Sequence, residues 1–236
     1  MEVFWLEQTE ADVPEANDWL NASELACLDR LRIAKRRSDW RLGRWTAKRA
    51  VAAYLQVPCC RRFLAQIEVR AATSGAPEVS FVNQPAVAAI SLSHRCGIAV
   101  CAVASYGGAL GCDLETIEPR SEAFIADYFT GEEQAMIARA TAEERFRLLA
   151  LLWSGKESAL KALRLGLQLD TRCVVVSPLD PLPESYALDS WRPLEVSSSD
   201  GQIFHGWWQH GGKLVRSMVA APPPIPPILL AAKVPS

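Results

Sequence analysis

The spacing of apolar positions changes several times along the chain, and each change marks an element. From about Asn21 to Tyr54, Leu25, Leu28, Leu31, Leu42, Trp45 and then Leu55 recur among charged residues at helical spacing, and Pro58 closes the stretch. Ile67 to Arg70 and Glu78 to Val82 read as short strands around the turn Thr73-Ser74-Gly75-Ala76-Pro77. Three more strands follow: Ala89 to His94, Ile98 to Ala104 and Ala109 to Glu115, parted by Arg95-Cys96-Gly97 and Tyr106-Gly107-Gly108. Short turns predict antiparallel neighbours. On that topology His94, ending the first strand, and Asp113 and Glu115, ending the third, share one sheet edge.

Helical spacing returns from Ser121 to Leu165, with breaks near Thr130-Gly131 and Thr141-Ala142. Thr130-Gly131-Glu132-Glu133 has the form of an N-cap whose third helical residue reaches back. Beyond Leu169 the pattern is again that of strands: Cys173 to Ser177, Leu194 to Ser197, Ile203 to Gln209 and Leu214 to Ala220, with Gly201, Gly211 and Gly212 at the turns. Six of the fifteen prolines fall between Pro222 and Ser236, which reads as an extended tail. No internal repeat is visible in the residues. Helices and antiparallel strands mix without βαβ alternation, so the expected class is α+β.

Composition adds limits. The 236 residues are 50% hydrophobic and 22% charged, enough for a sizeable core, which excludes disordered and collagen-like chains. No apolar run approaches the roughly 20 residues of a membrane span. Met1-Glu2-Val3-Phe4-Trp5-Leu6-Glu7 lacks the basic start of a secretory signal. Seven cysteines without a CxxC pair read as free thiols, and a cytoplasmic location is expected. The net charge of −2 conceals an asymmetry: nine bases against Asp39 between Arg30 and Arg49, and ten acids against five bases between Asp113 and Glu157. A basic segment can hold an anion and an acidic one a metal, and either can equally be a solvated face.

Asp113 and Glu115, two apart on a strand, leave the same face. Paired carboxylates repel unless protons or a cation intervene, and hard oxygen donors suit Mg²⁺. In the helix from Leu148 to Leu163, Leu149, Leu152, Leu160 and Leu163 form an apolar stripe, with Trp153, Glu157 and Lys161 along its flank. Lys156 points among the leucines, where a lysine must snorkel or meet an anion. Gly155 inside a helix costs roughly 1 kcal/mol against Ala, which points to something approaching closely.

Gly111-Cys112-Asp113-Leu114-Glu115, followed some forty residues on by Trp153-Ser154-Gly155-Lys156-Glu157-Ser158-Ala159-Leu160-Lys161, resembles the G-x-D-x-E and W-S-x-K-E-x-x-x-K signature of the 4'-phosphopantetheinyl transferases. Ser91-Leu92-Ser93-His94 looks like that family's Ser-His segment and Gly75-Ala76-Pro77 like its G-x-P turn. The resemblance spans about Lys35 to Val176, at the length of the monomeric, Sfp-type members. It implies two pseudo-twofold-related halves, each a small antiparallel sheet with a long packed helix, here at 1–106 and 107–221 with a tail at 222–236. It also implies transfer of the phosphopantetheine arm from coenzyme A to a serine of an acyl or peptidyl carrier protein, releasing adenosine 3',5'-bisphosphate. Asp113, Glu115 and Glu157 would hold Mg²⁺ (or Mn²⁺), with Glu157 as base and Lys161 on the leaving phosphate. Lys156 would touch the phosphates, His94, Arg36 and Arg44 the 3'-phosphate with Ser93 nearby, and Gly75 and Pro77 the adenine. Glu133 aligns with an acid that would assist the metal, or else is an ordinary first-turn acid.

Three rivals compete. A nucleic-acid binder built on the basic helices is opposed by a pI of about 6.0 and by the lack of an aromatic stacking motif there beyond Trp40 and Trp45. A catalytically silent coenzyme A binder would not need the full set of carboxylates and Lys161. A Mg²⁺-dependent pyrophosphate hydrolase would cleave coenzyme A with no carrier present. His205 and His210 read as ordinary sheet histidines. A carrier surface is expected beside Asp127 to Arg147, with apolar contacts from Phe124, Phe129 and Met136.

Overall fold

The structure is a computed structural model that describes residues 1–81, 88–164, 169–180 and 190–231. Val82, Leu165 and residues 232–236, which figure in the expectations above, lie outside the described residues. The elements are of mixed α+β class, and the chain divides into two compact units: Glu2–Gly108 with the segment from Ile228, and Met1 with Ala109–Pro227.

The first unit runs β1 (Phe4–Thr9), α1 (Ala22–Arg30), α2 (Ala34–Tyr54), α3 (Arg61–Leu64), β2 (Ile67–Ala71), β3 (Pro77–Phe81), β4 (Ala89–Arg95) and β5 (Ile98–Ala104). β5 lies between β1 and β4 and is antiparallel to both, while β2 and β3 form a separate hairpin. The basic stretch, read as helical, forms the two helices α1 and α2. The break at Leu31–Ile33 has neither Gly nor Pro; Arg37 fixes it by donating from Nη1 to the carbonyls of Leu28 (2.5 Å) and Leu31 (3.2 Å) at the C-terminal end of α1. The long helix α2 buries Trp45, Ala47, Ala50, Val51 and Ala52 in a core shared with Leu6, Ile90 and Val103.

The second unit runs β6 (Ala109–Thr116), α4 (Glu122–Tyr128), α5 (Gly131–Arg139), α6 (Ala142–Ala162), β7 (Val174–Pro178), β8 (Arg192–Ser198), β9 (Ile203–Gly211) and β10 (Leu214–Ala221). Its antiparallel sheet has the order β6-β10-β9-β8-β7. Thr130 and Thr141 cap α5 and α6 with reciprocal capping boxes, so both breaks expected from sequence are present. After Pro227 the chain forms β11 (Ile228–Leu229), which pairs parallel to β1.

One expectation is overturned. β6 does not pair with β5; its partner is β10, while β5 already has β1 on that side. Tyr106-Gly107-Gly108 is a crossing between units, not a hairpin, so His94 and Asp113 stand in different sheets. The topology argument failed because the N-terminal strand β1 carried no recognised signal.

The two units repeat one plan in detail. Each has a nine-residue helix with a capping-box glutamate (Glu24, Glu133) and a 21-residue helix with a lysine at its fifteenth position (Lys48, Lys156). Lys48 meets Glu24 at 2.5 Å and Lys156 meets Glu133 at 2.8 Å. The glutamates also accept from strand amides, Glu24 from Val69 at 3.1 Å and Glu133 from Val176 at 3.0 Å. Trp45 stacks edge-on to Trp19, and Trp153 edge-on to Tyr128. The residues that make these contacts are largely the same in the two units (Glu24 and Glu133, Lys48 and Lys156, Val69 and Val176, Trp45 and Trp153), but they are isolated identities among differing neighbours, and the repeat is not visible on reading the sequence.

In the second unit α6 lies unusually close to the sheet. A Cβ on Gly155 would stand 2.8 Å from Val176 Cγ1, which is the close approach its presence in a helix pointed to. Ser154 and Ser158, one turn apart, each stand 2.7 Å from the Ser217 hydroxyl. Gly155→Ala is expected to destabilise by about 1–3 kcal/mol through overpacking. Adding Val176→Ala should recover part of that loss in a chemical-denaturation double-mutant cycle, and simple additivity would refute the contact.

Candidate functional site

Asp113 and Glu115 sit on the face of β6 that carries Gly111, which is the face against α6; they are 4% and 8% exposed. Lys161, in the last turn of α6, reaches back to Asp113 Oδ1 at 2.7 Å and to the Cys112 carbonyl at 3.0 Å. Glu115 is held by Arg120 at 3.1 Å, and Arg120 also reaches Glu118 at 3.1 Å and lies over the Phe124 ring. Glu157, one turn before Lys161, is half-buried. Burial above all, then the charges of Asp113 and Glu115, push its carboxyl above the ordinary range, with Lys161 acting the other way. Lys161 shows the reverse balance: burial is the largest influence and would lower its ammonium, but Asp113, Cys112 and Glu157 together outweigh it and hold it above its usual value. The requirement that α6 pack on β6 for these groups to share a neighbourhood is met.

Among the described residues no three carboxylate, imidazole or thiol groups stand together as a ready metal cage. The strand carboxylates hold cationic side chains instead. The donor set nevertheless suits a hard divalent ion: all its ligating atoms are carboxylate oxygens, and Glu157 feels the repulsion of Asp113 and Glu115 that such an ion relieves. An ion there would compete with Lys161 for Asp113 and with Arg120 for Glu115.

Lys156 and Glu133 belong elsewhere. Lys156 is 0% exposed and donates to Glu133, to the Thr171 carbonyl at 2.9 Å and to the Val174 carbonyl, so its three donors are used inside the unit. It meets an anion, as a lysine among leucines must, and among the described residues that anion is Glu133. Glu133, 1% exposed, is a capping residue and ion-pair partner and not a neighbour of the β6 carboxylates. Phe129 is likewise enclosed, packed with Phe124 and Trp153, and offers a partner nothing; Met136 is 38% exposed.

In the first unit the residues carried over from the resemblance lie on α2, β4 and the hairpin. Arg36 is exposed and its side chain makes no hydrogen bond or ion pair among the described residues. Its neighbours differ: Arg37 holds the end of α1 and Lys35 pairs with Asp39 at 2.5 Å. Arg44 lies over the Trp40 ring at 4.8 Å, its buried Nε has no hydrogen-bond partner among the described residues, and burial lowers its pKa. His94, 52% exposed, faces Asp39 Oδ2 at 3.9 Å, and Ser93 is buried beside it on β4. Gly75 takes a left-handed φ of 85° in the hairpin turn before Pro77. Arg120, Asp39 and Ser217 were not singled out from sequence. Arg120 could have been noticed as a base close behind the β6 acids; nothing marks Ser217.

No helix among the described residues is long and apolar enough to cross a membrane. No curated protein sequence matches the chain. A solved structure that it resembles is the Thermotoga maritima holo-[acyl-carrier-protein] synthase, at 21% identity over 55% of this chain and 74% of that one, with a TM-score of 0.35. Residues 109–203, which hold Asp113, Glu115, Glu157 and Lys161, match the profile of the 4'-phosphopantetheinyl transferase superfamily. Over that stretch, which is less than half of the chain, it is similar to this superfamily.

Proposed function

We propose that the protein moves the 4'-phosphopantetheine arm of coenzyme A onto a serine of an acyl or peptidyl carrier protein, as a monomer and with Mg²⁺ held by Asp113, Glu115 and Glu157. The observation that carries this reading is the juxtaposition of Glu157, held above the ordinary carboxylate range, with Lys161 and Asp113 inside the stretch that matches the family. The serine Oγ forms the new bond to the phosphorus that bears the pantetheine arm, and the bond from that phosphorus to the oxygen of adenosine 3',5'-bisphosphate breaks. Glu157 accepts the serine proton. Lys161 offsets the charge that develops on the leaving phosphate. When bound, the metal ion supplies charge neutralisation at the pyrophosphate.

The 3'-phosphate is assigned to Arg36, Arg44 and His94 and the adenine to Gly75 and Pro77. An exposed arginine without a partner among the described residues, and another whose buried Nε lacks one among them, are the groups an anion would complete. Arg36→Ala is expected to raise the apparent KM for coenzyme A about tenfold, as loss of a charge-assisted contact of about 1.4 kcal/mol does, with little change in stability. Arg37→Ala should instead lower the melting temperature and leave KM in place. Equal effects of the two on KM would reject the assignment.

The decisive experiment is intact-mass analysis of apo carrier proteins incubated with this protein, coenzyme A and Mg²⁺. A gain of one phosphopantetheine arm, lost on chelation, supports the reading. Coenzyme A binding without a mass gain on any of several unrelated carriers replaces it with a silent binder.

A further inference from the structure

The Glu133–Lys156 ion pair touches none of the reacting groups, yet Lys156 directly precedes Glu157 in α6. We propose that this buried pair is a positioning element for the transfer reaction, clamping α6 against α5 and β7 at the one rotation that turns Glu157 and Lys161 toward the carboxylates of β6. The proposal rests on the reading above for the roles of Glu157 and Lys161.

Glu133 gathers three donors: Val176 N at 3.0 Å on Oε1, and Thr130 N at 2.9 Å and Lys156 Nζ at 2.8 Å on Oε2. Lys156 then adds the carbonyls of Thr171 and Val174. Five bonds thus tie the start of α5, the approach to β7 and the middle of α6 to one buried point. Successive side chains on a helix are about 100° apart, so fixing the direction of Lys156 fixes that of Glu157. Gly155 against Val176 sets how deep the helix sits, and Ser154 and Ser158 on Ser217 hold its other side, but none of these small groups resists rotation as a charged tether does.

The repeated architecture supplies an internal control. Glu24 and Lys48 make the same clasp in the first unit, with the Lys48 ammonium also on the carbonyls of Trp19 (3.0 Å) and Leu64 (3.1 Å). There the residue after the lysine is Arg49, and the position five further on is Ala53 where α6 has Lys161. The clasp is alike in the two helices, whereas the candidate catalytic pair follows only Lys156.

The test compares two double variants in the full chain, Glu133→Gln/Lys156→Met and Glu24→Gln/Lys48→Met. Gln at the third helical position keeps the capping box, and unbranched Met fills the lysine's path without leaving a lone buried charge. With rates normalised to folded fraction, the first variant should lose about tenfold or more in kcat, the scale set by small misplacements of catalytic groups, with KM for coenzyme A little changed. The second should keep its kcat. Hydrogen–deuterium exchange, independent of activity, should show lost protection in peptides covering 153–161 of the first variant while β9 and β10 stay protected. Equal kcat losses in both variants, or unchanged protection over 153–161, would overturn the clamp. A wild-type protein that modifies no carrier sinks the functional reading instead, and exchange alone then decides whether the clamp exists.

Discussion

Glu157→Gln is expected to abolish transfer and, without metal, to make the protein more stable. The loss of a positioned base costs about 10²–10⁴ in rate, and loss of a metal ligand adds to it. The stability gain follows from the sign of the carboxyl's shift. Burial first, then Asp113 and Glu115, raise its pKa in the folded state above the unfolded value. The folded protein therefore favours the neutral acid, and at neutral pH the charge counts against folding. Gln keeps the shape and removes the charge. The difference in melting temperature between variant and wild type, measured in chelator, should be fully present above the raised folded pKa. It should fade as pH falls through that value toward the ordinary carboxylate range, where Glu157 is neutral in both states. A variant less stable than wild type at neutral pH would mean that Glu157 makes a stabilising contact in the folded state. One that is stable yet still active would remove Glu157 from the mechanism.

This opposition between stability and activity was partly legible in the residues. The spacing of Asp113 and Glu115 gave a shared strand face, and the 3.6-residue period put Trp153, Glu157 and Lys161 along one flank of α6. Both readings depend only on local geometry, which sequence states directly. What sequence could not state was long-range pairing. β5 and β6 are joined by a short glycine turn and yet go to different sheets, because β1, nearly a hundred residues back, already occupies the edge that a hairpin partner would take. Lys156 was half legible: its place among leucines demanded an anion, but its partner Glu133 comes from a helix whose docking only the tertiary fold determines. The same holds for the repeat between units. The buried clasp keeps its Glu, Lys and Trp in both units, while most other positions need only be apolar and of suitable size, so the backbone plan is shared where few further identities are. The basic segment was the least legible part. Nine bases in one stretch suggested a single anion surface, but Arg37 and Lys48 are committed to internal carbonyls and carboxylates, while Arg36 is exposed and without such a partner.

The glycine of the G-x-D-x-E stretch yields the second large effect. A Cβ on Gly111 would stand 1.8 Å from the Ser158 carbonyl oxygen and 2.9 Å from the Ala162 amide nitrogen. Both are backbone atoms of α6, so no rotamer change and no smaller neighbour relieves the clash; the helix itself must move off β6. Gly111→Ala is therefore expected to reach or exceed the upper end of overpacking costs, about 3 kcal/mol, which is about 10 °C in melting temperature for a unit of this size. Gly43→Ala, in the interior of α2 with nothing within 4 Å, is the control and should gain up to about 1 kcal/mol from helix propensity. The displacement also pulls Lys161 away from Asp113, now 2.7 Å apart, so whatever fraction of Gly111→Ala remains folded should transfer poorly. Ser158→Ala cannot rescue it, because the obstructing oxygen is main chain. A Gly111→Ala protein with wild-type melting temperature and activity would show that α6 does not lie against β6 as described, and the site built on that contact would fall with it.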